Sequence, residues 1–274
     1  MTEILTDLTP ASLALANRAS LYGYFRFCER APVFDFKHRE GITRWSCPHP
    51  FFWFNSVICA RDTKPGDDAL LDEMLVYYRS RKTTSIGWWL EDGVSSQGWG
   101  ELLKERGFQH QEGSPGMGVD LAKIPDSLPL PEGLEIKRLT EVEDLRAFAH
   151  LTNANFRFPP ESEPAIFDWL VGVGLEMPLI SYLAYLDGQP VGTTSVFYHA
   201  GVAGIYSVTV NPQARGKGIG AMLTLQPLLD ARDLGYKAGI LQASTLGFPV
   251  YQRLGFEKNC SLNHFYYEFE SPSS

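Results

Sequence analysis

Two hydrophobic periods run through residues 134–270, and together they lay out a mixed α/β unit. IKRLTEVEDLRAFAHLTNANF predicts a strand, a turn with Thr140 as helix N-cap, and an amphipathic helix whose apolar positions recur every three or four residues. FDWLVGVGL predicts a second helix. The segment LISYLAYLDGQPVGTTSVFYHAGVAGIYSVTVNP then switches to a two-residue alternation, interrupted at Asp187-Gly188 and Ala200-Gly201. That pattern predicts three antiparallel strands joined by tight turns. A helix over 218–234, a buried strand AGILQAS, a short helix FPVYQRL and a final strand HFYYEFE complete the order β-α-α-β-β-β-α-β-α-β.

The first half is built from similar pieces. FNSVICA and TSIGWWL read as strands, DDALLDEMLVYYRSRK as a helix between them, and ELLKER as a helix that stops at Gly107. The glycine- and serine-rich EDGVSSQGWG reads as a loop entering that last helix. Sliding the chain by 148 residues places Gly107-Phe108 on Gly255-Phe256 and the strand GMGVDL on HFYYEF. Shared element order with shared spacing predicts two copies of one fold. Between them lies the proline-bearing stretch LAKIPDSLPLPEGLE, which predicts a stiff linker. The expected division is a first domain over 1–122, a linker over 123–133 and a second domain over 134–274.

Composition narrows the class. The chain carries 24 Lys and Arg against 32 Asp and Glu, a formal charge of −8. That argues against nucleic-acid or anionic-membrane binding, both of which need a basic footprint. No run of about 18 apolar residues occurs, and the first residues lack a basic segment followed by an apolar one, so a cytoplasmic protein is expected. The cysteines at 28, 47, 59 and 260 form no CxxC pair, which predicts reduced thiols and no metal site.

Chemistry concentrates in Val208-Thr209-Val210-Asn211-Pro212-Gln213-Ala214-Arg215-Gly216-Lys217-Gly218-Ile219-Gly220-Ala221. A strand ends at Asn211-Pro212 and a helix starts within the glycine run, so backbone N–H groups converge where the helix dipole is positive. Arg215 and Lys217 add charge, and the place suits a phosphate or pyrophosphate. A P-loop requires a hydroxyl after its lysine, but Gly218 follows Lys217. A dinucleotide fingerprint requires GxGxxG on a parallel βαβ unit; here GxGxG follows an antiparallel meander. The acetyl-CoA pyrophosphate loop, [QR]xxGx[GA], is matched without a gap by Gln213, Gly216 and Gly218. A purely structural glycine turn is the bland alternative, and it leaves the basic residues without a purpose.

On these residues, 134–270 resembles the GNAT superfamily of acyl-CoA-dependent N-acyltransferases. A second motif agrees: Tyr251, followed at the family's spacing by Gly255-Phe256, with Ser244 where the family has Asn. The resemblance implies two GNAT-like domains in tandem. It also implies direct attack of an amine on the thioester of acetyl-CoA, with no metal. It places pyrophosphate on Gln213, Ala214, Arg215, Gly216, Lys217, Gly218, Ile219, Gly220 and Ala221, and pantetheine along Val208, Thr209 and Val210. Oxyanion donors come from the backbone near Val210, a further contact from Ser244, and the proton for the leaving thiolate from Tyr251. No glutamate precedes the loop in the meander, so His199, Glu161, Glu163, Asp168 or water is expected to serve as base. The first copy has one glycine at CARDTKPGDDALL, an acidic pair at Asp67-Asp68, and Leu103 where Tyr251 stands. It therefore reads as degenerate. Two further readings compete: a non-catalytic acyl-CoA sensor, and a transferase for a longer acyl group. No motif identifies the amine acceptor or the oligomeric state.

Overall fold

The computed structural model describes residues 3–49, 52–91 and 96–269; residues 92–95 of the expected EDGVSSQGWG loop lie outside them. In chain order the first elements are α1 (Pro10–Phe27), β1 (Asp35–Arg39), β2 (Ile42–Ser46), β3 (Ser56–Cys59), α2 (Asp67–Ser80), β4 (Ser85–Leu90), α3 (Ser96–Glu105), β5 (Gln109–Gln111) and β6 (Pro115–Asp120). Next come β7 (Leu134–Arg138), α4 (Asp144–Phe156), α5 (Glu163–Val173), β8 (Leu179–Leu186), β9 (Gln189–His199) and β10 (Val202–Val210). The last are α6 (Ile219–Asp233), β11 (Ala238–Gln242), α7 (Phe248–Arg253), β12 (Glu257–Ser261) and β13 (His264–Glu268).

These elements form two sheets. The larger has the order β12-β6-β11-β10-β9-β8-β7, the smaller β1-β2-β3-β4-β13-β5. Read from β8 to β12 and from β1 to β5, both follow one scheme. Two antiparallel pairings lead to a parallel pair (β10 with β11, β3 with β4), and then to two more antiparallel pairings. The fold is thus a mixed α/β sheet present twice, as the internal repeat predicts.

The final strands are exchanged. HFYYEF, expected to close the second sheet, is β13 and sits between β4 and β5 of the first. GMGVDL, the end of the first copy, lies in β6 between β11 and β12 of the second. The compact units are accordingly 1–31 with 114–261, and 32–113 with 262–274. They replace the expected division at 122 and 134. Pattern alone misses this because an alternating strand fits any sheet gap of matching polarity. The linker also belongs to the larger unit: Leu121 and Ile124 are buried in its core and Leu128 packs against it.

In the larger unit the sheet is covered on both faces. Ala203, Ile205 and Val196 pack with Leu223, Leu225 and Leu228 of α6 on one face. Leu13 and Ala16 of α1 pack with Val202, Ala238 and Ile240 on the other. Helix α1 falls outside the predicted elements, since the first residues give no clear apolar period. Thr140 is not an N-cap; α4 begins at Asp144 after a turn through Glu141–Glu143. The strand β12 directly after Phe256 was also not predicted, because EKNCS alternates too weakly.

Candidate functional site

Where the meander meets α6, the parallel pair comes apart. Pairing of β10 with β11 runs from Ala203 opposite Gly239 to Ile205 opposite Leu241 and stops there, while β10 continues to Val210. A bulge marks the parting: register against β9 shifts between Tyr206 and Thr209, and Ser207 is left-handed at φ 54°. One extra residue exchanges the faces of everything after it. Before the bulge, Ile205 faces the α6 core; after it, Val208 and Val210 do. Ser207, Val208 and Val210 are half-buried, while Tyr206 and Thr209 beside them are buried.

Asn211 N–H donates to Val191 O (2.8 Å), and Thr209 stands opposite Thr193. Backbone polar groups alternate along a ladder, so those of Val210 turn away from β9, toward the gap that β11 leaves. Thr209 turns its backbone groups to β9, and its hydroxyl is shared with Thr193 Oγ1 at 2.8 Å, so the expected pantetheine contact narrows to its neighbours.

The glycine loop follows. Gly216 (φ 78°) and Gly218 (φ 80°) are left-handed, and a Cβ on either would project into open space with no atom within 4 Å. Gly218 is the N-cap of α6 and offers no side chain to the helix end. Its carbonyl takes the N–H groups of Ala221 and Met222 (both 3.1 Å), which removes Ala221 from the set of free donors. Among the described residues no acceptor meets the N–H groups of Gly216, Lys217, Gly218, Ile219 or Gly220. Five unpartnered donors facing open space at a helix N-terminus suit an anionic group such as a phosphate. Ala214 and Ile219 bury their side chains in the core and can offer only backbone. Arg215 is partly committed: its Nε donates to Val210 O (2.9 Å), tying the loop to the strand end. Gln213 and Lys217 are exposed.

Tyr251 lies on α7 with its ring in the same core, 6.0 Å from Phe256. Burial pushes its phenol up to about 12, so it holds its proton at neutral pH. Ser244 is exposed, and its Oγ accepts the Gly247 N–H (3.1 Å) at the start of α7. It thus orders the turn that presents Tyr251.

The candidate bases have separate surroundings. Glu161 and Asp168 are exposed, and Glu163 pairs with His150 at 3.0 Å. His199 stands opposite Val202, at the other end of β10 from the loop. Its ring stacks on Phe197 (5.5 Å), and burial, then Arg26, lowers its pKa.

The smaller unit handles the same positions differently. Strand β3 stays paired with β4 to its last residue, Cys59 opposite Leu90, and Glu91 N–H adds a bond to Cys59 O (2.8 Å). At the start of α2, Asp67 is 2% exposed. Its carboxylate accepts from Arg61 Nη1 (2.7 Å), Arg61 Nη2 (2.5 Å) and Lys64 N–H (2.7 Å). Burial works against its ionisation, but the Arg61 guanidinium and the Lys64 amide outweigh it and hold the pKa down. A buried carboxylate of the chain itself thus stands at this helix start and takes up the Arg61 guanidinium. Leu103 is fully buried.

Sequence reasoning missed what α1 brings. Asn17, Ser20 and Tyr24 form one polar stripe at spacings of three and four, the signal that marks them. They meet Met117, Leu241, Gln242 and Tyr206. Among the described residues no cluster of His, Cys, Asp and Glu suits a metal, and no helix is long and apolar enough to cross a membrane.

Residues 141–256 match the model of the Acetyltransferase (GNAT) family. Over 171 residues the chain is 32% identical to a mycothiol acetyltransferase of Cellulomonas flavigena, covering 52% of this chain and 46% of that protein. Over 155 residues it is 27% identical to the mycothiol acetyltransferase of Rhodococcus erythropolis, covering 51% and 52%. The chain spans about half the length of these curated relatives. Among solved structures, a GCN5-related N-acetyltransferase from Kribbella flavida aligns over 92% of this chain and 96% of its own, with TM-score 0.67 and 15% identity. A tandem GNAT protein from the clavulanic acid biosynthesis pathway aligns over 98% and 97%, with TM-score 0.59 and 16% identity.

Proposed function

We propose, from the premise that residues 141–256 form an acetyltransferase domain of the GNAT family, that the chain transfers the acetyl group of acetyl-CoA to a primary amine. The observation that carries this is the juxtaposition on one unit of an unpartnered N–H cradle, a parted strand pair and a protonated buried tyrosine. Acetyl-CoA supplies the thioester. Gly216–Gly220 hold its pyrophosphate through backbone N–H groups, with Lys217 and the outer guanidinium nitrogens of Arg215 as counter-charge. The free edge of β10 takes pantetheine as an added strand. Val210 N–H lies where negative charge gathers on the carbonyl oxygen as the amine attacks, and a fixed donor there lowers the barrier. Tyr251 donates a proton to the departing thiolate. Water takes the proton of the acceptor ammonium, since Glu163 is paired with His150 and His199 stands at the far end of β10. The retained tyrosine favours an enzyme over a sensor, which has no thiolate to protonate.

The names of the curated relatives make a mycothiol-related amine the first acceptor to test. The test is CoA release from acetyl-CoA with that amine and with a panel of other primary amines, for wild type and Tyr251→Phe. We expect amine-dependent CoA release. Loss of the hydroxyl should lower kcat by roughly 10²–10⁴-fold, the range for general acid catalysis, with CoA affinity nearly unchanged. Tight CoA binding without turnover on any amine would favour the sensor.

A further inference from the structure

We infer that Asn17, Ser20 and Tyr24 of α1 are positioning residues for acetyl transfer, holding the bulge at Tyr206-Ser207 from which the donor strand parts. The inference rests on the function proposed above. The stripe reads across the sheet at the place where the gap opens. Asn17, fully buried, donates through Nδ2 to Met117 O and Leu241 O (both 3.1 Å), and its Oδ1 accepts from Gln242 Nε2 (2.9 Å). Leu241 is the last residue of β11 that pairs with β10. One turn on, Ser20 Oγ bonds the Tyr206 hydroxyl at 3.0 Å, and Gln242 reaches the same hydroxyl. Another turn on, the Tyr24 ring stacks flat on Tyr206, 4.3 Å between centroids and 4° between planes, with its hydroxyl directed to Ser207.

Tyr206 is therefore gripped at both ring face and hydroxyl, immediately before the left-handed Ser207. A left-handed serine is unfavourable unless its surroundings fix it. The α1 stripe supplies that fixing, and through it the aim of Val208–Val210. None of the three side chains is assigned contact with acetyl-CoA, since each is taken up within the fold. Their effect passes through backbone that donates to the reacting carbonyl, where small displacements are costly in rate.

The test uses the full chain carrying Ser20→Ala, Tyr206→Phe, or both. Steady-state kinetics, calorimetric CoA affinity, and hydrogen exchange of the 203–212 segment without substrate are read together. We expect kcat to fall by about tenfold or more while CoA affinity changes less than about twofold, because the pyrophosphate cradle is untouched. The double variant should lose no more than Tyr206→Phe alone, and exchange should accelerate locally. Unchanged kcat and exchange in folded variants would overturn the inference. So would parallel losses of kcat, CoA affinity and melting temperature, which mark general destabilisation. Absence of wild-type turnover would instead strike the proposed function, while the exchange measurement still decides whether α1 holds the bulge.

Discussion

Tyr251 and His264 show opposite consequences of burial for a titratable ring. Burial raises the Tyr251 phenol and keeps it a donor, whereas it drives His264 down to about 4, with His110 adding to the effect, and keeps it neutral. His264 stacks on Trp89 at 4.4 Å, and its Nδ1 is buried without a hydrogen-bond partner. The folded smaller unit thus resists a proton that the unfolded chain accepts near pH 6.5. Stability is intact above that value and falls as pH drops toward 4. Between pH 7 and 5 the loss amounts to about 2 kcal/mol. Urea unfolding at both pH values should show that difference in wild type and a smaller one in His264→Phe, which keeps the stack. Equal pH slopes in the two proteins would refute the assignment.

The decisive element is the loop that hands β10 over to α6. Its motif is legible in sequence because phosphate binding by backbone demands glycine at left-handed positions, and those positions leave a residue-type signature. A Gly216→Val variant combines a strained φ with a branched side chain in the open space beside the loop. CoA affinity by calorimetry should fall more than tenfold, above about 1.4 kcal/mol, in a variant whose melting curve remains cooperative. Unchanged affinity would remove the cradle from the mechanism. The corresponding element of the first copy, the start of α2, is degenerate for a reason that differs from simple repulsion. The buried Asp67 carboxylate is bound there by Arg61 and the Lys64 N–H, so the guanidinium beside this helix start is already paired within the chain. The bulge and α1 were illegible, because a left-handed serine and a polar helix stripe acquire meaning only from what they touch.

Across the whole molecule the exchanged strands make each compact unit depend on both halves of the chain. A fragment of residues 134–274 would lack β6, the strand between β11 and β12, and α1, the cover of one sheet face. It should fail to unfold cooperatively by calorimetry or circular dichroism, whereas a fragment that folds and turns over would show the exchange to be dispensable. With β3 and β4 paired to their ends and a buried carboxylate at the start of α2, titration of the intact chain with CoA should give one site. Two sites of like affinity would contradict the reading of the smaller unit as degenerate. The amino-acid sequence by itself determined the meander, the glycine-loop helix, Tyr251 ahead of Gly255-Phe256, and the duplication. Each is a local pattern set by side-chain period, turn chemistry or fixed spacing. Tertiary structure decided which sheet receives GMGVDL and HFYYEF, where the parallel pair parts, and that a helix from residues 10–27 serves the second copy's sheet. Those outcomes depend on contacts between residues about 100 to 225 positions apart, such as Asn17 with Met117 and with Gln242. Such pairings leave no period along the chain, because hydrogen bonding and packing select partners by shape and polarity and not by sequence distance.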